Sequence, residues 1–405
     1  MHATAIVFGS FFLALVLLDA FQTIILPRRP VGRLRITRLF FLATWTPWTF
    51  LAGHWPWRRS REQIYSIYGP LSLLCLFILW AILLVVAYGL IYFGMHMPFS
   101  DPMQPVTALD HLRSSIYVSG TTLFTLGLGD ILPRTHAART LMVIEAGTGL
   151  GFVALVIGYV PVLYTAFSNR EIAIALLDAR AGSPPTAAEL LVRHNFNGGH
   201  HALTELLAEW ERWCALMLET HISYPILCYY RSQHDNQSWL SALTAVLDAC
   251  ALLITTVEGP STRQAQLTFA IGRHTLVDLG HVFHREKEEQ RLRELPCFRL
   301  SDDEFARLCA ILATAGYSLC GDIEARKRLD TLRKLYEPHS QSLAEYLRLG
   351  LPLWAALPPD PSKKPDQWTT VADLRSPAAL ADRLTTHISA QSTARHLHDD
   401  ETHPL

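Results

Sequence analysis

The chain has 405 residues, half of them apolar, a formal net charge of −1 and a mean hydropathy of +0.19. That hydropathy is high for a soluble protein, and the apolar residues gather in the first 170, which excludes an ordinary water-soluble fold for that part. The near-zero charge says little about partners, and no nucleic acid is expected among them. Seven cysteines lie without any Cys-x-x-Cys spacing, which reads as reduced thiols with no disulfide framework.

Residues 4–26 form the first apolar stretch. No basic residue precedes it and no small-residue cleavage pattern follows, so a spanning helix is expected in place of a signal peptide. About 23 residues at 1.5 Å each give roughly 34 Å, enough to cross a bilayer. Asp19 interrupts this helix. A carboxylate there either meets a polar partner within the membrane domain or is a neutral acid near the inner interface, and the second reading is preferred.

Arg28, Arg29, Arg33, Arg35 and Arg38 precede a strongly aromatic stretch, 39–57, which Arg58, Arg59 and Arg61 follow. Were 39–57 a span, one arginine cluster would lie outside, against the positive-inside tendency. Pro47, Gly53 and Pro56 also argue against a regular span. The stretch 28–69 is therefore read as cytoplasmic, with the aromatic segment in the inner interface. A re-entrant or fourth spanning helix is the alternative.

Residues 70–94 read as an outer helix, and 95–110, with Pro98, Asp101, Pro102 and Pro105, as an acidic extracellular turret. His111 to Leu123 read as a short helix capped by Asp110. Then comes Thr122-Leu123-Phe124-Thr125-Leu126-Gly127-Leu128-Gly129-Asp130. Alternating glycines let successive carbonyls face one side, because glycine reaches backbone angles closed to other residues. A lone Gly-x-Gly-Asp is most often a plain turn. Here it lies between an outer apolar helix and a long inner one.

The pattern Thr-x-x-Thr-x-Gly-x-Gly-Asp resembles the selectivity filter of the potassium channel family, of the two-helix pore-loop type. That resemblance implies a ring of backbone oxygens from Thr125, Leu126, Gly127, Leu128 and Gly129 that replaces the hydration shell of K+. It implies support from Thr121, Thr122, Phe124, Asp130 and Glu145, with Asp130 tying the loop to its helix, Pro133 stiffening the exit, and Glu145 bracing the pore helix near Thr121 or Thr122. The Thr125 hydroxyl would complete the innermost site. Leu126, Leu128 and Phe124 depart from the family, which carries Val, an aromatic residue and Thr there. A less selective monovalent cation pore is therefore the alternative, and a non-conducting membrane signalling or scaffold protein a further one.

Residues 137–168 read as a long, tilted inner helix. Gly147, Gly149, Gly151 and Gly158 permit close approach or bending, and Pro161 predicts a kink. Gly147, Gly151, Gly158 and Pro161 are the candidates for gate or hinge. No span carries a row of arginines at every third position, which speaks against a voltage sensor.

Residues 170–357 read as mostly helical, over 187–193, 201–220, 237–257, 263–294, 302–316 and 322–348. The stretch 239–257 is apolar nearly all round, but Asp248 argues for a buried helix of a bundle over a fourth span. No Gly-x-Gly-x-x-Gly follows a strand. His274, Asp278, His281 and His284 are candidate ligands for a divalent metal, with a plain polar face as the default. His194, His200 and His201 mark a loop. Beyond 350 lies a Pro-rich linker with an acidic tail.

The expected fold class is an all-α membrane protein, a tetrameric pore-loop channel core plus a helical cytoplasmic domain. Its parts are 1–69, a transmembrane helix with the interfacial segment; 70–168, the pore; 169–357, a regulatory domain; and 358–405, the tail. One pore loop per chain is a quarter of a filter, so a homotetramer in lipid is expected, in the plasma membrane, with the amino terminus outside and the carboxyl terminus inside. The expected function is a potassium-selective cation channel gated through the cytoplasmic domain. No organic cofactor is expected, and no nucleophile–base pair suggests an enzyme.

Overall fold

The computed structural model describes residues 2–26, 35–55, 58–96, 99–103, 105–195, 199–233, 237–257, 259, 261–283, 285–294, 299–320 and 323–356. Arg28, Arg29, Arg33, Pro56, Pro98, His284 and the tail from 357 onward lie outside the described residues. The chain divides into two units. Unit 1 draws on residues 1–169 and 219–231, and unit 2 on 170–218 and the residues from 232 onward.

Unit 1 opens with α1 (His2–Ala20), continued by a π turn over Phe21–Ile25. There follow α2 (Ile36–Gly53), α3 (Arg58–Gly94), the strand β1 (Phe99–Ser100), α4 (Ala108–Leu123), β2 (Leu132–Pro133) and α5 (His136–Ala181), of which unit 1 holds the part up to Asn169. Strand β1 pairs antiparallel with β2, Phe99 opposite Pro133. The stretches His2–Ile25, Arg61–Gly94 and His136–Ala181 are long and apolar enough to cross a membrane, and the protein is an all-α membrane protein. Helix α2 is not among them.

Glycines set the packing of α1 on α3. A methyl built on Gly9 would lie 2.7 Å from the Ala87 carbonyl oxygen, and one on Gly94 2.7 Å from that of His2. Only hydrogen fits at either place, so the two helices lie backbone to backbone. Asp19 is buried at the lower end of this pair. It accepts from the Thr37 amide (3.0 Å), the Thr37 hydroxyl (2.6 Å) and the Trp80 indole (3.0 Å), with the Arg35 guanidinium 3.6 Å away. The carboxylate thus pins α1 to both α2 and α3. Of the two readings of Asp19, the structure bears out the one that gives it polar partners within the membrane domain, because several donors from α2 and α3 surround the carboxylate.

The aromatic segment, not expected to be a regular span, is a helix that runs through Pro47 and packs on α3. Trp45 meets Tyr68 at 4.7 Å, the Trp48 indole donates to the Ile64 carbonyl, and the Thr44 and Tyr68 hydroxyls lie 2.9 Å apart. Proline removes one hydrogen bond from a helix, and side-chain packing of this density offsets a loss of that size. For the same reason α3 begins twelve residues before 70 and passes through Pro70.

Unit 2 contains α6 (Ala187–His194), α7 (Gly199–Ser223) up to Leu218, α8 (Trp239–Thr255), α9 (Thr262–Val282), α10 (Glu286–Arg293), α11 (Asp302–Thr314), α12 (Ile323–Arg333) and α13 (Glu337–Leu347). Its centre is α8, with α6, α9, α12 and α13 around it. Every residue of α8 except Ile254 is buried, Asp248 included. The Arg299 guanidinium grips both Asp248 oxygens, at 3.2 and 2.5 Å, and the Tyr336 hydroxyl donates to the same carboxylate. The stretches read as single helices, 263–294 and 322–348, are each two. Pro338 stands in the first turn of α13, where its missing N–H costs nothing and a new helix begins.

Candidate functional site

The loop between α4 and α5 is built by the end of α4. Thr107 caps that helix, its hydroxyl accepting from the Asp110 amide while the Asp110 carboxylate accepts in return from Thr107. Asp110 is therefore the third helical residue of a capping box and not the cap, and the Thr107 donors hold its carboxyl below the ordinary value. At the other end Phe124 closes α4 by donating its amide to the Gly120 carbonyl, and Thr125 donates to that of Thr122.

Beyond Phe124 the backbone alternates. Thr125, Gly127 and Gly129 have φ of +55°, +55° and +75°. Placing every second residue in the left-handed region turns successive carbonyls toward a common side, which a straight strand does not do. Two amides of the loop are taken up at once: Leu126 and Gly127 donate to the Thr121 carbonyl, at 2.8 and 3.4 Å. Thr125 adopts the left-handed form without being glycine, at a cost of about 1 kcal/mol.

Two braces hold the loop. The Tyr117 hydroxyl on α4 donates to Asp130 at 2.7 Å, and the second Asp130 oxygen accepts from the Ile131 amide. Deeper in, Glu145 of α5 is fully buried. It accepts from the Tyr92 hydroxyl of α3 at 2.6 Å and from the Ser119 hydroxyl of α4, while the Tyr88 and Thr148 hydroxyls lie 2.9 Å apart beside it. One carboxyl thus joins three helices. Its partner on α4 is Ser119 and not Thr121 or Thr122, because Ser119 lies on the face of α4 turned to α3, where it also reaches the Val85 carbonyl. Thr122 is buried, and the Thr121 hydroxyl donates to the Val118 carbonyl. Phe124, Leu126 and Leu128 project outward, more than half exposed in the single chain.

Among the inner-helix glycines, a methyl on Gly147, Gly151 or Gly158 meets nothing within 4 Å in the single chain. On Gly149 it would lie 1.9 Å from the Leu123 carbonyl oxygen, so α5 and the end of α4 touch there without a side chain between them. Helix α5 runs through Pro161 to Ala181, well past the expected end at 168.

Tyr117, Ser119, Tyr92 and Gly149 are the site residues that sequence reasoning missed or undervalued. An apolar segment studded with hydroxyls at helical spacing, Tyr88 and Tyr92 in α3, was the available signal.

The candidate metal-ligating histidines of α9 belong to unit 2. His274 lies 3.5 Å and His281 3.9 Å from Asp278, on one helix face. Among the described residues no group of three or more His, Cys, Asp or Glu is arranged to hold a metal ion.

Comparison with known proteins agrees with the loop geometry. A family model described as "Ion channel" matches residues 76–165. An uncharacterized membrane protein of Bacillus subtilis (strain 168), YdjJ, is 28% identical over 214 residues, half of this chain. The match spans 59% of that relative's length. No solved structure matches the chain. Residues 76–165 of this all-α membrane protein, which hold the loop between α4 and α5, are thus similar to an ion-channel family.

Proposed function

We propose that the protein is a potassium-selective channel, formed by four copies, whose inner helix is moved by the helices of unit 2. The observation that carries this reading is the left-handed alternation at Thr125, Gly127 and Gly129, with the neighbouring amides tied back to Thr121. One chain supplies one loop, and a ring of carbonyls wide enough to strip an ion of its water needs several. Exposed Leu150, Ile157 and Tyr164 on α5 supply an apolar face for neighbouring copies or lipid. The reading places the assembly in the plasma membrane with unit 2 on the cytoplasmic side. The ion itself is the cargo, held by the backbone oxygens of residues 125–129, and no covalent chemistry is involved. The transport role of an ion channel is not that of an enzyme.

A second reading, a pore that passes monovalent cations with little choice among them, is favoured by Leu128. An alkyl chain there offers no hydrogen bond to brace the loop against α4, which leaves Asp130–Tyr117 as the outer tie.

The test is the reversal potential in planar bilayers with potassium on one side and sodium on the other. A value near the potassium limit supports the first reading, and a value near zero with real current supports the second. Gly127→Ala is expected to abolish the current, because a side chain at φ +55° is strained. Selective current surviving in that variant would mean that residues 125–129 do not select the ion and would remove the loop as the basis of either reading.

A further inference from the structure

After α7 the chain returns to unit 1 at Glu219 and stays there to Arg231. A 3₁₀ turn, Pro225–Tyr229, sinks Ile226 and Leu227 into the same apolar core as Leu76, Phe77, Trp80, Tyr159 and Leu163. Tyr229 stacks flat on Phe41 at 5.5 Å and edge-on to Trp45 at 4.9 Å. The Tyr230 ring sits in the notch left by Gly69, where a methyl would come within 2.7 Å of it. Arg231 lies over the Tyr65 ring at 4.9 Å, with Glu62 3.9 Å away. So anchored on α2 and α3, this segment cannot slide freely.

Its other face follows the inner helix. Tyr224 meets Tyr159 edge-on at 5.5 Å, and Tyr230 meets Phe167 at 5.7 Å. Within unit 2, Ser232 donates to Glu171 at 3.3 Å and Gln237 to Asp178 at 2.6 Å. Within unit 1 the partners rise together, 224 and 230 against 159 and 167, so the segment follows α5 there. The first two contacts bracket Pro161. Proline has no N–H to give the Ile157 carbonyl, so α5 is weakest there. A change of bend at Pro161 must alter the Tyr159 and Phe167 contacts unequally.

We propose that residues 224–233, with Gln237 beyond them, are a gating strap, which holds the bend of the inner helix at Pro161 and passes displacement of the unit 2 helices to it. The proposal rests on the reading of the protein as a gated pore. Its chemistry is aromatic at the membrane end and hydrogen-bonded at the far end, so the two ends can be released separately.

The experiment uses the full chain in lipid nanodiscs and compares wild type with Tyr224→Ala, Tyr230→Ala and Gln237→Glu, and with Tyr224→Phe and Tyr230→Phe. Amide hydrogen exchange is read over residues 155–180, and open probability from single-channel recordings of the same proteins. Removing one aromatic pair is expected to raise exchange around Pro161 by roughly three- to tenfold. Gln237→Glu sets a second carboxylate against Asp178 and is expected to act in the same direction, without disturbing the core. The phenylalanine variants keep the rings and should match wild type. Open probability should shift in the alanine and glutamate variants at an unchanged reversal potential. Exchange and open probability at wild-type values in folded Tyr230→Ala and Gln237→Glu would overturn the strap. So would raised exchange with unaltered open probability. A wild-type chain silent in every monovalent cation would remove the pore reading and the gating role together, and the exchange data, read without current, tell that failure from a failure of the strap contacts.

Discussion

Gly149 decides more than its size suggests. Its missing side chain lets α5 touch the Leu123 carbonyl, and Leu123 ends the helix that carries the loop of residues 124–130. A methyl at 1.9 Å from a backbone oxygen cannot be accommodated by a rotamer change. Either α5 or the end of α4 must move, at a cost of about 1–3 kcal/mol. Gly149→Ala is therefore expected to shift the reversal potential toward zero while the helical content stays at the wild-type level. An unchanged reversal potential would mean that α4 is not seated on α5 at this point. Gly149 was named in the sequence only as one of four glycines that allow close approach. Nothing in the residues 147–158 singles it out, because the partner that makes it special is a carbonyl 26 positions away. The alternation at Thr125, Gly127 and Gly129 was legible, since two of the three are glycines.

Helices α6 and α8 each carry a buried polar side chain with a measurable role. His194 closes α6 with its Nδ1 2.7 Å from the Leu190 carbonyl, and burial pushes its pKa below the ordinary 6.5. A histidine held neutral in the fold contributes stability that is complete above about 6.5, its unfolded value, and is lost as pH falls toward the lowered folded value. Unit 2 should therefore weaken on acidification below about pH 6.5, and His194→Gln should flatten that dependence. Exchange rates of the α6 amides measured between pH 7 and pH 5 check this, and an equal acid sensitivity in the variant would exclude His194 as its source. In α8, Asp248 faces Arg299, a guanidinium with little exposure to water. Asp248→Asn leaves that cation with less than its share of partners, and about 3–5 kcal/mol of unit 2 stability should be lost. Denaturant titration followed by exchange of the α8 amides measures the loss, and a cost below ~1 kcal/mol would mean that Glu337, 3.3 Å from Arg299, suffices alone.

At the scale of the whole molecule, the stretch from 70 to 167 was readable because its constraints are local. Apolar runs of spanning length, proline and glycine placement, and one spaced motif each specify backbone behaviour within a few residues. The central place of α8 was readable for a related reason: a helix apolar on all faces has to be buried somewhere. Its partner Arg299 was not, since an ion pair across 51 positions leaves no periodic trace. The same holds for Asp19, whose donors Thr37 and Trp80 come from two other helices. The division of the chain at 219–231 was equally hidden. Those residues lie in the middle of a stretch that reads as one helical domain, and only their burial among Phe41, Trp45 and Tyr68 assigns them to unit 1. The sequence by itself determined which segments are apolar, where the glycine-alternating loop lies and which of its residues can take left-handed backbone. Tertiary structure alone decided which hydroxyl meets Glu145, which glycine bears a backbone contact, and which segment follows the inner helix. Backbone conformation is a property of a residue and its neighbours in the chain, whereas pairing across tens of positions depends on how the helices pack.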